Sequence, residues 1–126
     1  MTTKKSRAIA NKHGQLAERK ALEYLKRNGL KPVTTNYNSP CGEIDIIMYD
    51  KNFIVFIEVK FRKNNNFINP LEAIDRHKCD KIIATSQYFQ QGNHKVSKMM
   101  SRFDVIILSG NINNPKIEWI KNAFQA

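Results

Sequence analysis

The chain reads as a single α/β domain, a mixed central β-sheet flanked by helices in the order α-β-β-β-α-β-β. Three observations predict this: a proline-free N-terminal stretch with small and apolar residues at helical intervals, a cluster of β-branched and aromatic runs after it, and an apolar run at residues 103–108 that follows a second helical stretch. Both periodicities in that succession call for helices packed on a sheet. A length of 126 residues fits one domain, 1–126, with enough chain to bury a core without disulfides or structural metal.

Residues 5–28 place Ala10, Ala17, Ala21, Tyr24 and Leu25 along one helical stripe, and Gly29 supplies the stop. Residues 1–6 are expected to form a flexible tail. Residues 33–38, 43–49 and 53–61 read as strands, the last two joined as a hairpin by Asp50-Lys51-Asn52. A polar loop covers residues 63–68. Asn69 as cap, Pro70 in the first turn and Glu72 reaching back then predict the start of a second helix. Its inner stripe is Cys79, Ile82, Ile83, Ser86 and Phe89, and Gly92 ends it. Residues 93–102 form a basic loop, residues 103–108 an almost wholly apolar buried strand, and residues 117–120 a last strand after the turn at Asn113-Asn114-Pro115. Tyr88, Phe89 and Trp119 are assigned to the core rather than to base stacking.

The formal charge of +10 is unevenly spread. Residues 1–31 hold nine Lys/Arg against two acids and residues 61–102 hold eight against three, whereas residues 32–60 hold two bases and four acids. An acidic centre between basic flanks suits a protein that attracts phosphates broadly and holds cations at one point. The plainer alternatives for the charge alone are a basic surface kept for solubility and incidental binding to an anionic membrane face. No apolar run approaches a membrane span, and no N-terminal stretch resembles a signal peptide. Cys41 and Cys79 lie far apart with no CxxC spacing, so a reduced, cytoplasmic setting without a membrane partner is expected. His13, His77 and His94 lack zinc-ligand spacing, and the chain has neither a Gly-rich phosphate loop nor a Ser/His/Asp order.

The chemistry concentrates in Gly42-Glu43-Ile44-Asp45-Ile46-Ile47 and Glu58-Val59-Lys60. On neighbouring strands about 4.8 Å apart, Asp45 and Glu58 converge on one cation if the register brings them level. Hard cations such as Mg²⁺ or Mn²⁺ take one or two carboxylates and fill the remaining positions with water and phosphate, and the Val59 carbonyl is a further candidate donor. Lys60, pointing the same way as Glu58, would orient or deprotonate the attacking water and offset charge on the phosphorane-like transition state. The plainer alternative is a solvated or ion-paired strand face. Residues 53–57 are apolar on both faces, however, and charges on a central strand are costly unless they pair or bind something. Glu18, beside the apolar stripe of the first helix, either adds a third ligand or pairs with Lys60 or Arg62. Glu43 either borders the metal or binds a basic neighbour, and Asp104 either pairs with Arg102 or caps a turn.

The motifs Gly14-x-x-x-Glu18-x-x-Ala21-x-x-Tyr24-Leu25, Asn36, the GEIDII and EVK segments with Arg62, and Arg102-Phe103-Asp104-Val105 resemble the YraN-like family of small bacterial proteins, over about residues 12–108. That family looks related to Holliday-junction resolvases within the restriction-endonuclease-like superfamily. The resemblance implies a restriction-endonuclease-like fold, with Asp45, Glu58 and Lys60 as the D-(x)n-E-x-K catalytic set and Glu18 as the helix-borne acid of resolvase-type members. Lys78 falls where family members tend to carry a lysine ahead of the second long helix.

The expected activity is Mg²⁺- or Mn²⁺-dependent hydrolysis of DNA, structure-selective if resolvase-like, in repair or recombination. Arg62, Lys63, Lys78, Lys81, Lys95, Lys98 and Arg102 are the expected phosphate contacts, and a homodimer is expected if the substrate is branched. The alternatives are a nucleic-acid-binding accessory protein of weak or no activity on the same fold, and a basic interaction module without a nucleic-acid role.

Overall fold

The computed structural model describes residues 4–63 and 74–126, with side chains of the first helix from Gly14 onward. Helix α1 (Lys4–Arg27) leads into β1 (Lys31–Ser39), β2 (Gly42–Asp50) and β3 (Phe53–Arg62), followed by α2 (Arg76–Gln91), a short α3 (His94–Ser97), β4 (Met100–Ser109) and β5 (Lys116–Phe124). The strands form one sheet in the order β1-β2-β3-β4-β5, antiparallel throughout except for the parallel pair β3 and β4. A chain leaving β3 must cross back over the sheet to enter β4 in the same direction, and α2 lies on that crossover. This is the predicted α/β architecture, a mixed sheet consistent with the restriction-endonuclease-like fold that the family resemblance implies.

Two apolar layers explain why the central strands lack alternation. On one face, Ala17, Ala21 and Leu25 of α1 pack on Ile46, Met48, Val55, Ile57, Ile106 and Leu108. On the other, Cys79, Ile82 and Phe89 of α2 pack on Ile44, Ile47, Ile54, Phe56, Phe103, Val105 and Ile107. Residues Ile54 to Ile57 are fully excluded from solvent, as a strand covered on both faces requires. Helix α1 stops as expected: Gly29 takes φ 96°, which frees the Leu30 amide to donate to the Leu25 carbonyl at 3.1 Å and the Gly29 amide to donate to Lys26 at 3.0 Å. These two hydrogen bonds satisfy the Leu25 and Lys26 carbonyls at the helix end.

The structure departs from the sequence reading at several ends. Helix α1 begins at Lys4 and ends at Arg27, within one residue of the stretch read as helical at each end. The cap of α2 is Asp75, whose carboxylate accepts from the Lys78 amide at 2.8 Å, and neither Ile74 nor Asp75 is helical. The cap predicted at Asn69, Pro70 and Glu72 lies outside the described residues. The basic loop holds a helical turn, α3, and the first residues of β4. Strands run longer than their apolar cores because ladder pairing carries polar ends with it; β5 continues to Phe124, which pairs with Phe103 past a bulge. Tyr88 is 48% exposed, so its assignment to the core fails, whereas Phe89 beside it is buried. Trp119 is half-buried, its ring set edge-on to Tyr24.

Asp104, fully buried in β4, is a polar anchor in this apolar core. It takes a two-pronged contact from Arg102 at 3.0 Å on each arm, an indole N–H from Trp119 at 2.9 Å and the Asn122 amide at 2.9 Å. Arg102 also reaches Asp50 at 2.9 Å, at the end of β2. Removing one member of such a buried network leaves the others uncompensated. Asp104→Ala should therefore lower unfolding stability by about 3–5 kcal/mol in urea denaturation, with Asp104→Asn costing less because it keeps an acceptor for Trp119.

Candidate functional site

The site begins where the sheet forks. Strand β3 pairs with β4 from Phe53 to Arg62, but with β2 only from Phe53 to Ile57. The last β2–β3 partners are Ile46 and Ile57, so Asp45 and Glu58 come next, level with each other across a ladder that has just stopped. Asp45 occupies the opening: its Oδ2 accepts the Val59 amide at 2.8 Å, replacing the bond a strand neighbour would give. The register that the sequence left undetermined is thus the one that sets the two acids side by side.

Asn36 of β1 stands opposite Asp45, between the pairs Thr35↔Ile46 and Tyr37↔Ile44. Its φ is 52°, a left-handed conformation that asparagine tolerates better than most residues. Alternation in β2 slips at this level, since Ile46 packs on the α1 side and Ile44 on the α2 side. The two-residue rule by which Glu43 and Asp45 share a face therefore does not carry through Asp45.

Glu58 is buried, and its Oε1 lies 3.7 Å from Lys60 Nζ and 3.7 Å from Lys78 Nζ. Burial first, and the negative charge of Asp45 second, push its pKa up to about 7, against the opposing pull of Lys78 and Lys60. Lys60 is half-buried on the same strand, two residues on, while Lys78 comes from the first turn of α2. Glu18 joins from α1. Its pKa is raised by burial, then by the charge of Asp45, with a hydrogen bond from the Asn36 side chain working the other way and the charge of Glu43 adding to the rise. Gln15, Glu18, Arg19, Leu22, Thr35 and Asn36 line an open depression of about 350 Å³ beside these acids.

Asp45, Glu58, Lys60 and Glu18 are brought together, and Lys78 joins them as a direct partner of Glu58. Glu43 is exposed at the margin, near enough for its charge to act on Glu18. Val59 contributes its amide to Asp45. Arg62 and Lys63 follow Lys60 at the same end of the sheet, and Lys81 is exposed one turn along α2 from Lys78. The second basic segment goes elsewhere. Lys95 sits over the Tyr49 ring at 5.0 Å, level with Ile54, and Lys98 precedes a strand whose first residue is level with Phe53. That end lies about 16 Å along β3 from Glu58. Arg102 is 13% exposed and engaged with Asp50 and Asp104.

Two carboxylates are an oxygen-donor set that Mg²⁺ or Mn²⁺ takes when water and phosphate complete its shell. Among the described residues no three His, Cys, Asp or Glu side chains gather closely enough for a closed cage. No helix among them is long and apolar enough to cross a membrane. Sequence reasoning did not identify Asn36 as a residue acting on Glu18. Nor did it place Lys78 against Glu58, a contact that depends on how the segment after β3 returns.

Comparison with known proteins places this arrangement in a family. The model of "Uncharacterised protein family UPF0102" matches residues 17–108, which include Glu18, Asn36, Asp45, Glu58, Lys60 and Lys78. A UPF0102 protein of Legionella pneumophila (strain Corby) is 43% identical over 118 residues, covering 94% of this chain and 98% of its own. One from Psychromonas ingrahamii is 40% identical over 116 residues, covering 92% of each chain, and one from Methylococcus capsulatus is 36% identical over 123 residues, covering 94% of this chain and 98% of its own. A match to the family model across most of the sequence, joined to relatives of this identity along nearly their full length, means that the chain belongs to the UPF0102, or YraN-like, family.

Proposed function

We propose that the protein is a divalent-cation-dependent endonuclease acting on DNA, with Asp45 and Glu58 as cation ligands and Lys60 as the residue that positions the attacking water. The observation that carries this reading is the fork: two acids level on adjacent strands just beyond the last ladder pair, with Lys60 3.7 Å from Glu58. A bound Mg²⁺ or Mn²⁺ would act as a Lewis acid on the phosphodiester. The chain's own residues supply the rest. Asp45, fixed by the Val59 amide, presents one carboxylate oxygen at a defined position. Glu58 would hold the cation as a carboxylate, and Lys60 and Lys78, the two lysines beside it, would then be available to phosphate oxygens. Glu18 stands beside Asp45 with a raised pKa and holds a proton there more readily than an ordinary carboxyl. Branched or otherwise distorted DNA, as in repair or recombination, is the substrate class that the resolvase-like resemblance favours.

The reading of an accessory nucleic-acid-binding protein has two observations in its favour: among the described residues the acids do not form a ready-made cage, and Glu58 already has two ammonium partners. Activity separates the two. Lys60→Ala and Asp45→Asn should each lower Mg²⁺- or Mn²⁺-dependent nicking of duplex and branched DNA on the order of a hundredfold or more, with unchanged circular dichroism and DNA affinity lowered by no more than a few-fold. Absence of nicking by the wild-type protein across both metals would favour the accessory role. Cation affinity should also depend on pH. Below about 7 the cation must displace the Glu58 proton, so the Mn²⁺ dissociation constant should tighten about tenfold per pH unit up to that point and level off above it. Calorimetric titration across pH 5.5–8 checks this, and Glu58→Gln should flatten the profile.

A further inference from the structure

The nuclease reading uses only the first turn of α2, yet that helix presents a second chemically specific feature farther along the same flank. Lys78, Lys81 and Tyr88 follow one another at steps of three and seven residues, which puts them on one side of the helix over about 15 Å. Lys78 reaches Glu58, Lys81 packs by its stem where the β1–β2 turn meets α2 at Gly42, and Tyr88 stands out from the surface at 48% exposure. Tyr37 of β1 lies close enough to feel the Tyr88 phenol, and its own ring rests edge-on against Phe89 at 5.0 Å. Asp80, the acid within α2, is paired with Arg76 at 3.1 Å on the other side. The flank is therefore cationic at the end near the acids and aromatic at the far end. Lysines that follow a backbone, ending in an exposed ring on which a base can stack, are the recognition chemistry of unpaired nucleic acid rather than of duplex.

We infer that this flank of α2 holds a single-stranded segment of the substrate as it leaves the site, with Lys78 and Lys81 on its phosphates and Tyr88 stacked on a base. The inference rests on the nuclease reading for the substrate but not on cleavage, so it is tested by binding alone. Fluorescence anisotropy with labelled oligo-dT, a blunt duplex and the same duplex carrying an oligo-dT flap, in chelator and at fixed salt, separates the contributions. The wild-type protein should bind the flapped duplex more tightly than the blunt one. Tyr88→Ala should weaken oligo-dT and flap binding by about fivefold or more while leaving blunt duplex within about twofold, and Tyr88→Phe, which keeps a stacking face, should retain wild-type affinity. Lys81→Ala should reduce the salt dependence of flap binding by roughly one phosphate contact.

A wild-type protein with no preference for the flap overturns the inference and leaves the nuclease reading standing, whereas flap preference without any metal-dependent cleavage does the reverse. Equal losses on blunt and flapped DNA in Tyr88→Ala would also overturn it. So would unchanged DNA affinities accompanied by a change of oligomeric state in light scattering, which would make the exposed ring a protein contact.

Discussion

Everything at the acidic end depends on an inequality in the pairing of β3. Its bond to β4 is unbroken from Phe53 to Arg62, while its bond to β2 ends at Ile57. The parallel partner keeps the second half of β3 in the sheet, and the antiparallel partner leaves that half open on one side. A carboxylate can then occupy a place where a backbone carbonyl would otherwise sit. Had the β2–β3 ladder continued by two residues, the Val59 amide would have been satisfied by main chain, and Asp45 would have had nothing to fix it.

The fold was legible because its core is written in long, unambiguous runs. Residues 53–57 and 103–108 are apolar enough to require cover on both faces, and that requirement alone calls for two helices and a central position. Asp45, Glu58 and Lys60 were legible for the converse reason: charges attached to such strands are too costly to be incidental. What could not be read was set by geometry between distant segments. The place of the fork follows from register, the contact of Lys78 with Glu58 from the return of the chain after β3, and the remoteness of Lys95 and Lys98 from the direction in which β4 runs. Tyr88 was misassigned because one residue of helical phase separates it from Phe89, and a single apolar residue beside a stripe carries no sign of which side it takes.

Electrostatically the acidic end is under tension that its surroundings only partly relieve. Burial first, and the charge of Asp45 second, raise the pKa of both Glu18 and Glu58. Lys60 and Lys78 oppose this at Glu58, and Asn36 opposes it at Glu18. Such an arrangement is costly to keep for stability alone, because apolar residues of similar size would pack the same space without desolvation. Carboxyls perturbed in this way cluster at functional sites, which is why the proposed function is placed here.

The buried carboxylate of Asp104 bears on the order in which the molecule assembles. Its donors come from Arg102 two residues before it, Trp119 fifteen residues after it and Asn122 eighteen after it, and Arg102 in turn ties it to Asp50 on the β2–β3 hairpin. Until β5 docks, this anion would face the core with only part of its complement of donors. Closing the last strand is therefore the event that makes the sheet's interior electrically acceptable, and β5 works as a latch whose release exposes a charge as well as an edge.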